Sequence, residues 1–156
     1  MPSVSRPPII HIATALIFND KSQTLLVRKK GSRFFMQAGG KIDAQETAVQ
    51  ALARELNEEL GITVSLNESD FLGTFTAEAA NEPGHHIQAE VFRMTLSAPV
   101  TAQAEIAEVL WIDPAKAPEE QLAPLTRDTL MPLAKKILLS AQPTSEEAYG
   151  VSSVKP

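Results

Sequence analysis

Apolar residues are grouped in short runs along most of the chain, and turn-forming residues separate these runs. Runs of this length that contain β-branched and aromatic residues are typical of β-strands. The predicted strands are Ile9–Phe18, Thr24–Arg28, Phe34–Gln37, Phe71–Ala79, Ile87–Leu96 and Val109–Ile112. Asn19–Lys21 is expected to join the first two strands as a hairpin, and the turn-rich segment Asn81–His85 to join the fourth and fifth.

A helix is predicted between the third and fourth strands. Thr47 and Gln50 have the spacing of a capping box, so the helix should begin at about Thr47. Gly61 should end it, because glycine adopts the left-handed closing conformation at low cost. The expected apolar face consists of Val49, Ala53, Leu56 and Leu60.

A second amphipathic helix is predicted for Thr126–Ser140, with Leu130, Leu133, Ile137 and Leu138 on one side. Residues 141–156 have no apolar pattern, so we expect a flexible C-terminal tail after a single domain spanning residues 1–140. The order of elements favours an α/β fold in which a mixed sheet packs between helices.

Composition is that of a small globular protein and excludes several functions. The chain has 156 residues, of which 44% are hydrophobic and 21% charged. The net charge of −5 argues against general nucleic-acid binding, and the lack of cysteine excludes thiol catalysis. Ile9–Phe18 has the length of a signal-peptide core, but His11 interrupts it and no cleavage site follows. We expect no membrane association and a cytoplasmic location.

Three carboxylates are concentrated on one face of the first predicted helix. Glu55, Glu58 and Glu59 are three and four positions apart, so their side chains should lie together. At an effective dielectric near 20 and about 5 Å, each pair repels by roughly 3 kcal/mol. A bound cation would remove that repulsion, and carboxylate oxygens suit Mg²⁺ or Mn²⁺. The alternative interpretation is an ordinary acidic helix face in solvent.

The segment from Gly40 to Ile62 resembles the Nudix box, G-x5-E-x7-R-E-U-x-E-E-x-G-U, in which U is a bulky aliphatic residue. Its fixed positions are filled by Gly40, Glu46, Arg54, Glu55, Leu56, Glu58, Glu59, Gly61 and Ile62. The chain is thereby similar to MutT-like Nudix hydrolases, which cleave a nucleoside diphosphate linked to another group. The resemblance implies an α/β/α sandwich and dependence on Mg²⁺, with Mn²⁺ as a substitute. Ala38 replaces the proline that usually precedes the two glycines, which should loosen the loop.

The resemblance also assigns roles to residues of the box. The metal ligands would be the Gly40 carbonyl and the carboxylates of Glu55, Glu58 and Glu59. Arg54 is included among the catalytic candidates in an orienting role, since its guanidinium can hold nearby glutamates by forked hydrogen bonds.

Further candidates lie outside the helix. The carboxylate that takes a proton from the attacking water would be Glu55 or Glu105, with Glu108 as the alternative to Glu105. Substrate contacts are expected from Gly39, Lys41 and Arg28, the last in a basic group that includes Lys29, Lys30 and Arg33. The strand face of Glu90, which it shares with His86 and Gln88, is expected to line the substrate cleft. His85 is expected to be a loop residue.

The sequence says less about the substrate. The segment Phe75–Glu78 has neither the proline nor the tyrosine that marks ADP-ribose or dinucleoside polyphosphate enzymes of the family. By elimination, we expect a nucleoside triphosphate pyrophosphohydrolase. An ADP-ribose or nucleotide-sugar pyrophosphatase and a catalytically silent ligand-sensing module are the alternatives. The expected partner is a small nucleotide, and the sequence leaves open whether the protein forms a homodimer.

Overall fold

A computed structural model describes residues 7–141, so the predicted tail lies almost wholly outside the described range. Seven strands and two main helices make up the fold. Their bounds are β1 Ile9–Phe18, β2 Thr24–Lys29, β3 Phe35–Met36, β4 Gly39–Lys41, α1 Ala48–Leu60, β5 Phe71–Glu78, β6 His86–Thr95, β7 Ile106–Ile112 and α2 Met131–Ala141. The predicted strands are confirmed, and β4 is an addition in a segment that was expected to be a loop.

The strands form one mixed sheet in the order β3-β2-β1-β6-β5, with β4 paired to β1 and β7 paired to β2. β1 and β6 run parallel through the centre, from Ile9 opposite His86 to Phe18 opposite Thr95. The other pairs are antiparallel. This pairing confirms the predicted mixed sheet.

The two faces of the sheet are covered by different helices, because side chains alternate along each strand. On one face, Ala13 and Ile17 of β1 are buried in a cluster with Leu52 and Leu56 of α1. On the other face, Leu16 is buried in a cluster with Leu130 and Ala134. The result is the predicted α/β/α sandwich.

The ends of α1 follow from local sequence. The Thr47 side chain accepts a hydrogen bond from the Gln50 amide, and the Gln50 side chain accepts one from the Thr47 amide. Gly61 closes the helix with φ of 69° and donates its amide to the Asn57 carbonyl. Both predicted ends are confirmed. The buried face is rotated from the predicted one, since Ala51 and Leu52 are buried while Val49 and Ala53 lie at its edge.

The second helix occupies the predicted range but starts irregularly. A π-helical turn spans Thr126–Leu130 and continues directly into α2. Between residues 7 and 141, no helix is both long enough and apolar enough to cross a membrane.

Candidate active site

Glu59 is the deeply buried member of the acidic group on α1. Only 6% of its surface is exposed, and its Oε1 accepts a hydrogen bond of 3.2 Å from the Gly39 amide. Burial raises the pKa of Glu59 to about 7 from an ordinary value of 4.5, and the Gly39 amide opposes this shift. A cation beside this carboxyl would favour its charged form, because opposite charge stabilises a carboxylate. Glu55 is half-buried next to it and Glu58 is exposed.

Arg54 connects the acidic helix to the loop before it. Its Nε and Nη2 donate to the two carboxylate oxygens of Glu46 at 2.7 and 2.8 Å. Nη1 donates to Glu55 at 3.0 Å and lies 3.6 Å from Glu58, while Nη2 also donates to the Lys41 carbonyl at 3.1 Å. Arg54 therefore holds Glu46 and Glu55 by hydrogen bonds, and its orienting part in catalysis stays a prediction.

The two glycines of the loop allow very close approach of other groups. Gly39 has φ of 146°, and a Cβ there would overlap the Ala13 carbonyl on the neighbouring strand. A Cβ at Gly40 would overlap the carboxyl group of Glu55. The backbone of Gly40 and the Glu55 carboxylate can therefore share one ligand only because residue 40 has no side chain.

The donor set fits a hard divalent cation, because it consists of carboxylate oxygens beside a glycine backbone carbonyl. The predicted metal ligands line one open cleft, namely Glu55, Glu58, Glu59 and Gly40. Within residues 7–141, however, no three acidic or histidine side chains are already gathered closely enough to hold an ion together. An ion would have to draw these carboxylates inward.

Two adjoining spaces define the site. The acidic cleft is lined by Lys29, Gly40, Lys41, Asp43, Glu55, Glu58, Glu59, Glu82, Ala104 and Glu105. The apolar cavity has a volume of about 120 Å³ and lies between the sheet and the start of the second helix. Its walls include Ile10, Ile12, Met36, Ile87 and Leu125. Lys29, Gly40, Lys41 and Glu82 border both spaces, so the two are contiguous.

The structure separates the two acids that precede Trp111. Glu105 lies in the turn before β7 and borders the acidic cleft, and its carbonyl accepts a hydrogen bond of 2.8 Å from the Lys30 amide. Glu108 lies within β7, which is longer than predicted, and pairs with Arg28 at 2.9 Å. Of the two, only Glu105 is placed at the cleft.

Arg28 lies away from the position that the sequence predicts for it. Its guanidinium is held by Glu108 and by the Ser32 carbonyl at 2.9 Å, outside both the acidic cleft and the apolar cavity. The neighbouring Lys29 borders both spaces instead. The reason is the alternation of side chains along β2. Leu25 and Val27 pack on the side of the sheet that α1 covers, and Lys29, two positions after Val27, lies on the same side.

Glu90 is also displaced from its expected role. Its carboxylate hydrogen-bonds to His11 at 2.9 Å and to Thr74 at 2.8 Å, and it borders neither the acidic cleft nor the apolar cavity. Ile87, whose side chain is on the other face of β6, lines the apolar cavity. The expectation that the Glu90 face lines the cleft is therefore wrong, because the strand presents its other face. His85 lies in the turn before β6, as expected.

Several residues at the site are not predicted by the sequence. Glu82 and Asn81, from the connection between β5 and β6, reach the cavity, and so do Gln37 and Thr126. For Glu82 the sequence predicts only a place in a turn. Nothing local in the sequence distinguishes these residues, since their proximity depends on how distant segments pack.

Comparison with known proteins agrees with this geometry. The sequence profile described as the NUDIX domain matches residues 10–133. An uncharacterised Nudix hydrolase of Pseudomonas aeruginosa is 33% identical over 126 residues, which cover 76% of this chain and 72% of that protein. The chain belongs to the Nudix hydrolase family, and the predicted resemblance is confirmed.

Two further relatives are more informative about chemistry or fold. An 8-oxo-dGTP diphosphatase of Haemophilus influenzae is 46% identical over 63 residues, covering 38% of this chain but only 46% of that protein. The crystal structure of the MutT protein from Methanosarcina mazei superposes with a TM-score of 0.71 at 26% identity. That match covers 86% of this chain and 99% of the other.

Proposed function

We propose that this protein hydrolyses a nucleoside triphosphate to a nucleoside monophosphate and pyrophosphate, using Mg²⁺, for which Mn²⁺ can substitute. The observation that carries the proposal is the shared border of the acidic cleft and the apolar cavity. A nucleotide has the same two parts, a flat apolar base and a charged phosphate chain. With its base in the cavity, its phosphates would extend towards the carboxylates of α1.

The basic residues at the shared border support this arrangement. Lys29 and Lys41 stand between the cavity and the acidic cleft. Each ammonium group can pair with phosphate oxygens as a point charge. Gly39 and Gly40 lie at the same place, and the missing side chain at Gly40 is what lets the Glu55 carboxylate lie against this loop.

Glu55, Glu58, Glu59 and the Gly40 carbonyl would hold the metal. When bound, Mg²⁺ would neutralise charge on the phosphoryl oxygens and lower the pKa of an attacking water. Arg54 fixes Glu55 through a hydrogen bond of 3.0 Å, so this carboxylate starts from a restricted position. Glu105 or Glu55 would accept the proton of the water, and both border the acidic cleft.

Similar proteins support the reaction class. The Haemophilus influenzae relative is described as an 8-oxo-dGTP diphosphatase, and a putative 8-oxo-dGTP diphosphatase of Bacillus subtilis is 26% identical over 106 residues. Both names specify cleavage of a nucleoside triphosphate at a diphosphate linkage. This agrees with the substrate class inferred from the contiguous cavity and cleft.

The test is an assay of purified protein with Mg²⁺ against nucleoside triphosphates, oxidised nucleotides, ADP-ribose and nucleotide sugars. We expect triphosphates to give monophosphate and pyrophosphate, and Glu59→Gln to abolish the activity while Glu90→Gln retains it. Orthophosphate as the first product would refute the proposal in favour of a phosphatase. Cleavage of ADP-ribose or nucleotide sugars alone would refute the substrate class, and no cleavage of any compound would indicate a ligand-sensing module.

A further inference from the structure

The apolar cavity contains one polar side chain whose hydrogen bonding is incomplete. Gln37 borders this cavity and is only 6% exposed. Its Oε1 accepts a hydrogen bond of 2.7 Å from the Thr126 hydroxyl. Its Nε2 is buried and has no hydrogen-bond partner among the residues that the structure describes. An amide donor in that position is costly unless an acceptor reaches it.

Thr126 faces the oxygen end of the Gln37 amide through its hydroxyl. This residue is 1% exposed, and its hydroxyl has a single proton, which it donates to Gln37. The carbonyl oxygen of the Gln37 amide is therefore used, and the two protons of the NH₂ group remain available. The arrangement leaves the Nε2 of Gln37 as a donor without a partner in a side chain that borders the cavity.

The backbone around Thr126 is itself unusual. Thr126 begins the π-helical turn, and its carbonyl accepts a hydrogen bond from the Met131 amide, five residues later. Turns of this kind are rare and occur frequently at functional sites. Here the turn brings a buried hydroxyl to Gln37, which is 89 positions away in sequence.

The cavity has the size and polarity of a site for a flat ring. Its volume of about 120 Å³ is close to the ~150 Å³ of an apolar cavity that holds benzene. The acids that also border it, Glu78 and Glu82, are exposed, so they are not placed to accept from the buried amide. Because no acceptor among the described residues reaches Gln37 Nε2, a ligand in the cavity could supply one.

We propose that Gln37, held by Thr126, is a specificity-determining residue that donates a hydrogen bond to an oxo group of the nucleobase. The inference rests on the proposed function, because it concerns the base of the same nucleotide. Hypoxanthine and guanine present a carbonyl oxygen where adenine presents an amino group, and uracil and cytosine differ in the same way. An amino group at that position would place its own N–H donors against the NH₂ group of Gln37, and no hydrogen bond could form. The protein therefore selects oxo bases over amino bases.

The experiment measures binding of nucleoside monophosphates by isothermal titration calorimetry in the presence of Mg²⁺. IMP and AMP are a matched pair, since they differ only in the oxo or amino group and in whether the adjoining ring nitrogen carries a proton, and UMP and CMP are a second pair. We expect the wild-type protein to bind IMP about tenfold or more tightly than AMP, because a site that leaves a buried donor unpaired rejects the ligand. UMP should likewise bind more tightly than CMP.

Four variants test the roles of the two side chains. Gln37→Leu removes the donor at similar volume and should bring the IMP to AMP ratio to about one. Thr126→Val removes the hydroxyl and should reduce the IMP to AMP ratio, because nothing then holds the Gln37 amide in one orientation. Thr126→Ser keeps the hydroxyl and should retain the preference. Gln37→Asn keeps the amide on a shorter stem, and we expect it to recover only part of the preference. Thermal melting of each variant checks that the fold is intact.

The outcomes separate this inference from the proposed function. Binding needs no bond cleavage, so a preference for IMP that Gln37→Leu abolishes would support the inference even if no triphosphate were hydrolysed. Equal binding of IMP and AMP by the wild-type protein would overturn it while leaving hydrolysis untouched. An unchanged ratio in Gln37→Leu, or no binding of any monophosphate, would overturn it as well.

Discussion

Arg54 and Glu46 form a two-pronged ion pair, with Nε to Oε2 at 2.7 Å and Nη2 to Oε1 at 2.8 Å. The pair joins the middle of α1 to the loop that precedes it, eight positions earlier in the chain. Because the same guanidinium also donates to Glu55 and to the Lys41 carbonyl, it sets the distance between the helix carboxylates and the glycine loop.

The first prediction tests this fork. Arg54→Lys keeps the charge but cannot make the planar, two-pronged contact, so Glu46 and Glu55 lose their shared anchor. We expect kcat to fall about 10- to 100-fold, as for other residues that orient metal ligands. We also expect Tm to fall by roughly 2–4 °C, the shift that about 1 kcal/mol causes in a domain of this size. Steady-state kinetics and calorimetry measure the two effects.

Arg127 supplies the control, since it makes a similar fork to Asp128 at 2.8 and 2.9 Å on an exposed part of the helix. Arg127→Lys should leave kcat unchanged. If both variants lose activity equally, or if neither does, Arg54 has no special part in arranging the site.

The second prediction concerns acid stability. The hydrogen bonds from Arg54 and from the Asp43 backbone hold the pKa of Glu46 at about 2, below its ordinary value of 4.5. A lowered folded-state pKa means that this contribution to stability is present above pH 4.5 and is lost as the pH falls towards 2. Glu46→Gln should therefore flatten the decline of the unfolding free energy between those pH values. Urea titrations at successive pH values measure this unfolding free energy. An equally steep decline towards low pH in the wild-type protein and in Glu46→Gln would contradict the prediction.

The third prediction distinguishes two neighbouring basic residues. Lys29 borders the acidic cleft and the apolar cavity, whereas Arg28 is paired with Glu108 outside them. Lys29→Met should lower kcat/KM about tenfold or more, mostly through KM, because a phosphate would lose a charged partner. Arg28→Met should change kcat/KM little. A larger loss in Arg28→Met than in Lys29→Met would restore the original expectation for Arg28.

The fourth prediction distinguishes the two acids before Trp111. Glu105 borders the cleft and Glu108 does not. If Glu105 takes the proton of the attacking water, Glu105→Gln should lower kcat about a hundredfold or more and remove the acid limb of the pH–rate profile. Glu108→Gln is the matched control and should retain activity. Full activity in Glu105→Gln would assign the proton to Glu55.

The ends of α1 and the spacing of its carboxylates follow from sequence alone. The Thr47–Gln50 box, the closing Gly61 and the positions of Glu55 and Glu59 depend on contacts within a few residues of each other. Helical geometry is fixed at 3.6 residues per turn, so such relationships are already present in the order of the residues. The family assignment succeeded for the same reason, because the Nudix box is one continuous segment.

Only the tertiary structure decided which residues complete the site from outside that segment. Arg28 and Lys29 are both positively charged, and the position of β2 in the sheet determined that Lys29 borders the cleft. Packing of the π-helical turn against the sheet brought the Thr126 hydroxyl into hydrogen-bond contact with Gln37, which is 89 positions away in sequence. These contacts join segments that are distant in the chain, so they arise from strand pairing and core packing rather than from any local pattern.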